Sequence, residues 1–184
     1  MPHAASAMSE LGSPAPDFQL PDVVTGNTIS RSEVAGPKGL LVMFLCRHCP
    51  FVKHVQEELG SIGRDYLSRG VGIVAIGSND AITHPDDAPE RLAEMSRQLK
   101  FVFPYLYDET QDVARAYDAQ CTPDFFLYDE TGTLVYRGQL DDSRPGNGVP
   151  VTGTDLRAAL DAVIAGRSVP ANQKPSIGCN IKWR

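Results

Sequence analysis

The chain has no stretch approaching the roughly 20 consecutive apolar residues that a membrane-spanning helix needs, so no membrane partner is expected. Its opening residues carry Ala, Ser, Gly and Pro without the apolar core of a signal peptide. No basic cluster is longer than two residues and the net charge is −6, which argues against a nucleic-acid partner. There is no P-loop, no dinucleotide fingerprint and no His-Glu-x-x-His, so the expectation is no cofactor and no catalytic metal. Four cysteines are too few for a disulfide scaffold, and 184 residues with 42% apolar content can bury a core without one. The expectation is a single cytoplasmic domain. In that reducing compartment a cysteine pair is more often catalytic or metal-binding than structural.

Against this background Cys46-Arg47-His48-Cys49-Pro50 stands out, lying between the apolar run Leu40 to Leu45 and a segment of helical period. Two thiols three residues apart at the start of a helix lie about one turn from each other, close enough to join as a disulfide. Unsatisfied N–H groups and the positive end of the helix dipole favour thiolate there. Cys46 is therefore expected to be the nucleophile, and Cys49, one turn in and less exposed, the resolving thiol. Arg47, His48 and Lys53 are expected to lower the Cys46 pKa below the free-thiol value of roughly 8.5. The alternative is half of a zinc site completed by His54 and Cys121 or Cys179, but the chain offers no second Cys-x-x-Cys or His-x-x-x-His. A c-type haem attachment would need His where Pro50 stands.

The rest of the chain alternates strand and helix. Phe18 to Leu20 and Thr28 to Ser30 flank Thr25-Gly26-Asn27 as a short hairpin, and Leu40 to Leu45 reads as a central strand buried on both faces. Phe51, Val55, Leu59, Ile62 and Tyr66 give one apolar helix face from Pro50 to Arg69, and Val71 to Ile76 is a parallel neighbour of the central strand. Helices follow at 88–100 and 110–117, with a strand at 104–107 between them. Phe125 to Tyr128 and Leu134 to Arg137 form a hairpin across Asp129-Glu130-Thr131-Gly132, and the last helix is marked by Leu156, Leu160 and Val163 with Thr154 as cap.

These residues resemble the thioredoxin-fold redoxins, the AhpC/TSA group that includes peroxiredoxins and thiol-disulfide proteins. Pro14 to Leu20 is similar to the family's opening strand, Cys46 to Cys49 stands at the thioredoxin active-site position, and Val113 to Tyr117 with Thr122 to Leu127 resembles the later helix and proline-bearing strand. Asp141 to Asn147 and Gly178 to Trp183 look like a peroxiredoxin-like subgroup carrying a thioredoxin-type pair. The resemblance implies an α/β fold: a thioredoxin-like three-layer α/β/α sandwich with a central mixed sheet and an N-terminal β-hairpin extension. The chain then divides into a flexible leader (1–13), a redoxin domain (14–168) and a C-terminal tail (169–184), which is either a loose terminus or, through the apolar Ile181 and Trp183, docked near the site. It also implies that Pro123 is cis and faces the pair, with Thr122 offering backbone groups to an extended substrate.

Two departures from the family shape the functional expectation. Where peroxiredoxins hold Pro and Thr seven and three residues before the peroxide-reactive Cys, counting from Cys49 gives Val42 and Cys46, and no arginine lies between Gln120 and Tyr128. Losing groups aimed at developing charge should hurt peroxide chemistry. The buried acid that thioredoxins place six residues before the first Cys is Leu40 here, leaving water, His48 or Asp124 to handle the proton. The expected activity is thiol-disulfide exchange with a disulfide-bearing protein or small molecule, recharged by a reducing partner such as a thioredoxin system. The Cys pair should be a better oxidant than thioredoxin at about −270 mV. The alternatives are a thiol peroxidase attacking through Cys49 and a non-catalytic redox or zinc-binding module. Cys121 is a second resolving thiol, a partner for Cys179, or a packed thiol. Asp141, Asp142, Arg144 and Asn147 read as a self-satisfied turn or, alternatively, as the lining of a binding loop, and His84 as solvated.

Overall fold

The structure, a computed structural model, describes residues 2–184. In chain order its elements are β1 (His3–Ala5), β2 (Gln19–Pro21), β3 (Thr28–Ser30), α1 (Arg31–Val34), β4 (Gly39–Phe44), α2 (Pro50–Leu67) and β5 (Val71–Gly77). There follow a 3-10 turn (Pro85–Asp87), α3 (Pro89–Gln98), β6 (Tyr105–Tyr107), α4 (Asp112–Ala116), β7 (Cys121–Thr122), β8 (Asp124–Asp129), β9 (Leu134–Gly138), α5 (Thr154–Ile164) and β10 (Ile177–Asn180).

The continuous apolar runs become strands covered on both faces: every residue of β4 and of β5 is buried. β8 pairs antiparallel with β4 from Gly39↔Asp129 to Phe44↔Asp124, and with β9 on its other edge. β5 lies beside β4, where the Leu45 N–H donates to the Ile76 carbonyl at 3.0 Å, and pairs parallel with β6. The result is a central mixed sheet.

Because side chains alternate along a strand, β4 serves two cores. Leu41, Met43 and Leu45 pack with Val52, Val55, Leu59 and Ile62 of α2, Leu92 of α3 and Leu160 of α5. Leu40, Val42 and Phe44 point the other way, onto Phe18, Val113 and Ala114 of α4, Tyr117 and Phe126. Helices on both faces make the three layers, and β2 with β3 forms the antiparallel hairpin at the N-terminal side. Among the described residues no helix is long and apolar enough to cross a membrane.

A second, small sheet matters more for the site. It runs in the order β1, β10, β7, all antiparallel, with His3↔Cys179 and Cys179↔Thr122 in register. Residues 3–5, assigned to a flexible leader from sequence, are therefore paired. β10 continues into Ile181, buried against the second core, and its N–H donates to the Gln120 carbonyl at 3.1 Å. Beyond it the Lys182 carbonyl accepts from Gln111 and Asp80, and Trp183 lies under the Arg115 guanidinium, so the tail is held at both ends of β10.

One local expectation is corrected. Thr154 begins α5 rather than capping it: Gly153 is the cap residue, at φ 69°, and the Asp141 carboxylate accepts the Thr152 and Gly153 N–H groups at 2.8 Å. A side chain at Gly153 would meet the left-handed backbone penalty and would also press on Glu58.

Candidate active site

β4 delivers the chain to the surface of the sheet, and Leu45 to His48 turn it into α2. Cys49 is the N-cap of that helix and Pro50 its first residue, a position where a missing N–H costs nothing and the fixed φ already suits the helix. Facing the turn is the Thr122–Pro123 peptide, which is cis. The Thr122 Oγ1 stands 3.2 Å from Cys46 Sγ and its carbonyl oxygen 3.4 Å from Cys49 Sγ. The fold thus gathers Cys46, Cys49, Thr122 and Pro123 across more than seventy residues of chain. It also brings in Cys179, whose Sγ lies 2.7 Å from that of Cys49.

The two thiols of the pair do not behave as their order in the sequence suggests. Cys46 was expected to be the exposed, low-pKa thiol, yet both sulfurs are sealed: Cys46 is 1% exposed and Cys49 0%. Cys49 is the sulfur that collects hydrogen-bond donors. The Cys46 thiol donates to it, Cys179 donates both its thiol and its backbone N–H, and so does the Val52 N–H in the first turn of α2. Together these overcome burial and bring Cys49 down to about 5. Cys46 is pushed well above the ordinary thiol range by burial first, then by donating to Cys49 and by the nearby Asp87 carboxylate, against which the Thr122 hydroxyl is a small opposing influence.

A further contribution at Cys46 comes from Asp87, which the sequence reading did not single out. Arg47 and His48 were expected to stabilise a Cys46 thiolate. Instead the Asp87 carboxylate accepts the Arg47 N–H at 2.7 Å, the His48 N–H at 3.3 Å and the Asn79 amide at 2.9 Å, and is hydrogen bonded to His48 Nδ1. Burial would raise its pKa, but these donors outweigh burial and keep the carboxyl below its ordinary value. The Arg47 guanidinium reaches out to Glu94 at 3.6 Å, a half-exposed pair of small energetic weight. The Arg47 guanidinium and the His48 ring therefore pair with Glu94 and Asp87 rather than with Cys46, and the Asp87 carboxylate adds to the rise that burial causes at Cys46. Asp87 follows Asp86 in a Pro-flanked polar stretch, and nothing in that stretch distinguishes it from a solvated loop. His84, expected in solvent, stacks on His48 at 5.3 Å between ring centroids.

Cys121 is buried two residues before Pro123, 3.6 Å from the Pro123 carbonyl, and burial with the neighbouring Asp124 pushes its thiol far up. That is the behaviour of a packed thiol. Asp124 is fully buried, accepts from the Ser6 hydroxyl at 2.7 Å and the Gln120 N–H at 3.3 Å, and is raised by burial to about 7. Leu40 lies in the second core, as its apolar character requires. The zinc alternative loses His54, which is bonded to the Ser143 hydroxyl at 2.7 Å. The groups that could share a cation are Cys46, His48 and Asp87, whose ligand atoms lie within 4.8 Å of one another. They fit a three-ligand N, O and S set. In the 141–147 loop Asn147 accepts the Arg144 N–H at 3.1 Å and donates to the Asp142 carbonyl at 2.9 Å, as a self-satisfied turn would.

The chain as a whole is similar to several known proteins. An uncharacterized conserved protein from Geobacillus kaustophilus is similar in structure with a TM-score of 0.98 at 55% identity, over 100% of this chain and 97% of that one. The thiol-disulfide oxidoreductase ResA of Geobacillus kaustophilus (strain HTA426) is 31% identical over 127 residues, 67% of this chain and 66% of ResA, so the chain spans just under two thirds of that relative. A thiol:disulfide interchange protein of the thioredoxin family from Chlorobium tepidum TLS matches with a TM-score of 0.65 at 17% identity, over 85% of this chain and 99% of that one. At that identity the likeness speaks for a thioredoxin-like fold alone. The AhpC/TSA family itself matches residues 11–137. That span holds the central sheet, the cysteine pair and the cis-proline strand, and the chain belongs to the AhpC/TSA family.

Proposed function

We propose that the chain is a thiol-disulfide oxidoreductase whose redox couple is Cys46 and Cys49, with Cys49 as the attacking thiolate. The observation that carries this reading is the Cys49 sulfur at the N-cap of α2, brought to about 5 by hydrogen bonds from its neighbours. The name of the ResA relative points the same way. In the first step the Cys49 thiolate attacks one sulfur of a substrate disulfide, and the other leaves as thiolate and takes up a proton. In the second, Cys46 gives up its proton and attacks the Cys49 sulfur, closing the Cys46–Cys49 bond and releasing the second substrate thiol. Two electrons pass from the protein dithiol to the substrate, and a reductant such as a thioredoxin system would restore the pair.

Since both sulfurs are sealed, an external disulfide reaches them only when the covering segments move. Lifting β10 would leave the Thr122 edge open to an extended chain, the form in which a strand-adding peptide is bound. The supporting roles of Thr122 and Pro123 rest on that edge; those of Arg47 and His48 run through Asp87. With a hydrogen-bonded thiolate favouring the reduced form, the couple should lie above about −270 mV. The test is turnover of a model disulfide by Cys49→Ser and Cys46→Ser variants: Cys49→Ser should be inactive and Cys46→Ser impaired. If instead Cys49→Ser accumulates a mixed disulfide on Cys46, the order of attack is reversed.

A second reading, reduction of peroxide by Cys49, is favoured by the same lowered pKa. It is weakened by Val42 and Cys46 where the family holds Pro and Thr. Stopped-flow mixing with hydrogen peroxide decides it: a Cys49 rate matching that of a free thiol at equal thiolate fraction removes it.

A further inference from the structure

The proposed exchange uses two sulfurs, but the site contains a third. Cys179 is 1% exposed, its Sγ is 2.7 Å from Cys49 Sγ, and its backbone is in register with Thr122. Two sulfurs at that separation are inside ordinary contact distance, and a disulfide at about 2.05 Å needs only a small further approach. The position is fixed rather than incidental. β10 is paired on both edges, by β1 through His3↔Cys179 and by β7 through Cys179↔Thr122. Ser176 donates its hydroxyl to the Pro123 carbonyl at 2.6 Å before it, and Ile181 is buried after it. Gly178 makes the approach feasible: a Cβ there would stand 2.0 Å from the Thr122 carbonyl oxygen, so any side chain would push β10 away from the cysteine pair. His3 adds an edge-on contact with Phe51 in the first turn of α2, at 4.8 Å between ring centroids, so the outer strand presses the assembly onto the helix that carries Cys49.

We propose that Cys179 is a third redox thiol of this site, which resolves Cys49 by forming a Cys49–Cys179 disulfide and so ties the C-terminal strand to the start of α2. This rests on the exchange reading above. When Cys49 carries a substrate sulfur, Cys179 gives up its proton and attacks the Cys49 sulfur. The Cys49–substrate bond breaks, the Cys49–Cys179 bond forms, and the substrate leaves as a thiol carrying the proton. Two protein thiols are oxidised and one substrate disulfide is reduced to two thiols, with no further reactant. Burial and donation to Cys49 push the resting Cys179 thiol up to about 12, so it stays protonated until Cys49 has been taken up by a substrate sulfur. The oxidised protein would then have its tail locked down, and the Thr122 edge would be covered by a covalently held strand.

The test uses the full chain and bis(2-hydroxyethyl) disulfide, a small probe that needs only a slight movement of the covering segments to reach Cys49. Cys46→Ser protein is mixed with the probe, quenched in acid, alkylated and mapped by mass spectrometry. The expected product is a Cys49–Cys179 disulfide with no hydroxyethylthio group retained. In the Cys46→Ser/Cys179→Ala protein, and in its Cys179→Ser equivalent, the group should stay on Cys49. If Cys46→Ser protein keeps the group on Cys49 while Cys179 is recovered alkylated, the inference is overturned and the exchange reading survives. If even the double variants carry no group on Cys49, exchange at Cys49 itself fails and the third-thiol role falls with it.

Discussion

Cys46 and Cys49 are three residues apart, equally buried, and bounded by the same Thr122 residue, yet their surroundings drive them in opposite directions. On the Cys49 side the sulfur meets donors: the Val52 N–H of a helix start, the Cys179 thiol and N–H, and the Cys46 thiol itself. On the Cys46 side it meets the Asp87 carboxylate, which has already drawn in Arg47 and His48. Counting charged residues near a cysteine therefore says little about its pKa until the partners of those charges are known.

The largest way to break this contrast is Cys49→Ser, which removes the thiolate and should lower exchange with a model disulfide by more than about 10³-fold, since loss of a nucleophile is seldom compensated. Next is Gly178→Val, which forces β10 off Thr122. Overpacking of this kind typically costs about 1–3 kcal/mol, measured by urea unfolding, and alkylation of Cys49 should rise about tenfold or more as its cover lifts. Asp87→Asn sharpens the comparison from the other side. Without the carboxylate, Cys46 should titrate at lower pH, seen as thiolate absorbance, and the two sulfurs become more alike.

The effect furthest from the exchange chemistry is at Asp124. Its carboxyl is raised to about 7 in the folded protein, so on raising the pH the unfolded chain loses that proton first, near the ordinary value of about 3.9. The stability this group contributes is thus fully present in acid and lost as pH rises through about 7. Asp124→Asn removes this dependence, and the difference in unfolding free energy between the two proteins should change between about pH 4 and 7 and be flat above.

The central sheet was legible because burial on both faces writes itself as uninterrupted apolar runs, Leu40 to Leu45 and Val71 to Ile76, and the covering helices as 3.6-residue periods. The cysteine pair was legible for a related reason: its spacing and its strand-to-helix junction are both local. The outer sheet was not. β1, β10 and β7 are four residues or fewer, carry His, Ala, Gly and Asn among others, and pair the two ends of the chain with two residues beside Pro123. Nothing in three residues of a polar terminus announces a strand. The same holds for Asp87, whose importance comes from His48, Asn79 and the Arg47 N–H, contacts between segments that only the folded sheet brings together. The opposite shifts of Cys46 and Cys49 draw on these two non-local features together with burial and the hydrogen bond between the two sulfurs. The candidate pair could be located in the sequence, but which of its sulfurs collects the donors depends on what packs around it.

The most direct test of the account is thiolate absorbance near 240 nm as a function of pH, in the wild-type chain and in Cys49→Ser and Cys46→Ser. A folded pKa lowered to about 5 also means that Cys49 adds stability as pH rises from there toward the unfolded-thiol range, and that this is lost in acid. The account predicts a single-thiolate step near pH 5 in the wild type that vanishes in Cys49→Ser. A step that persists in Cys49→Ser and disappears in Cys46→Ser would contradict it.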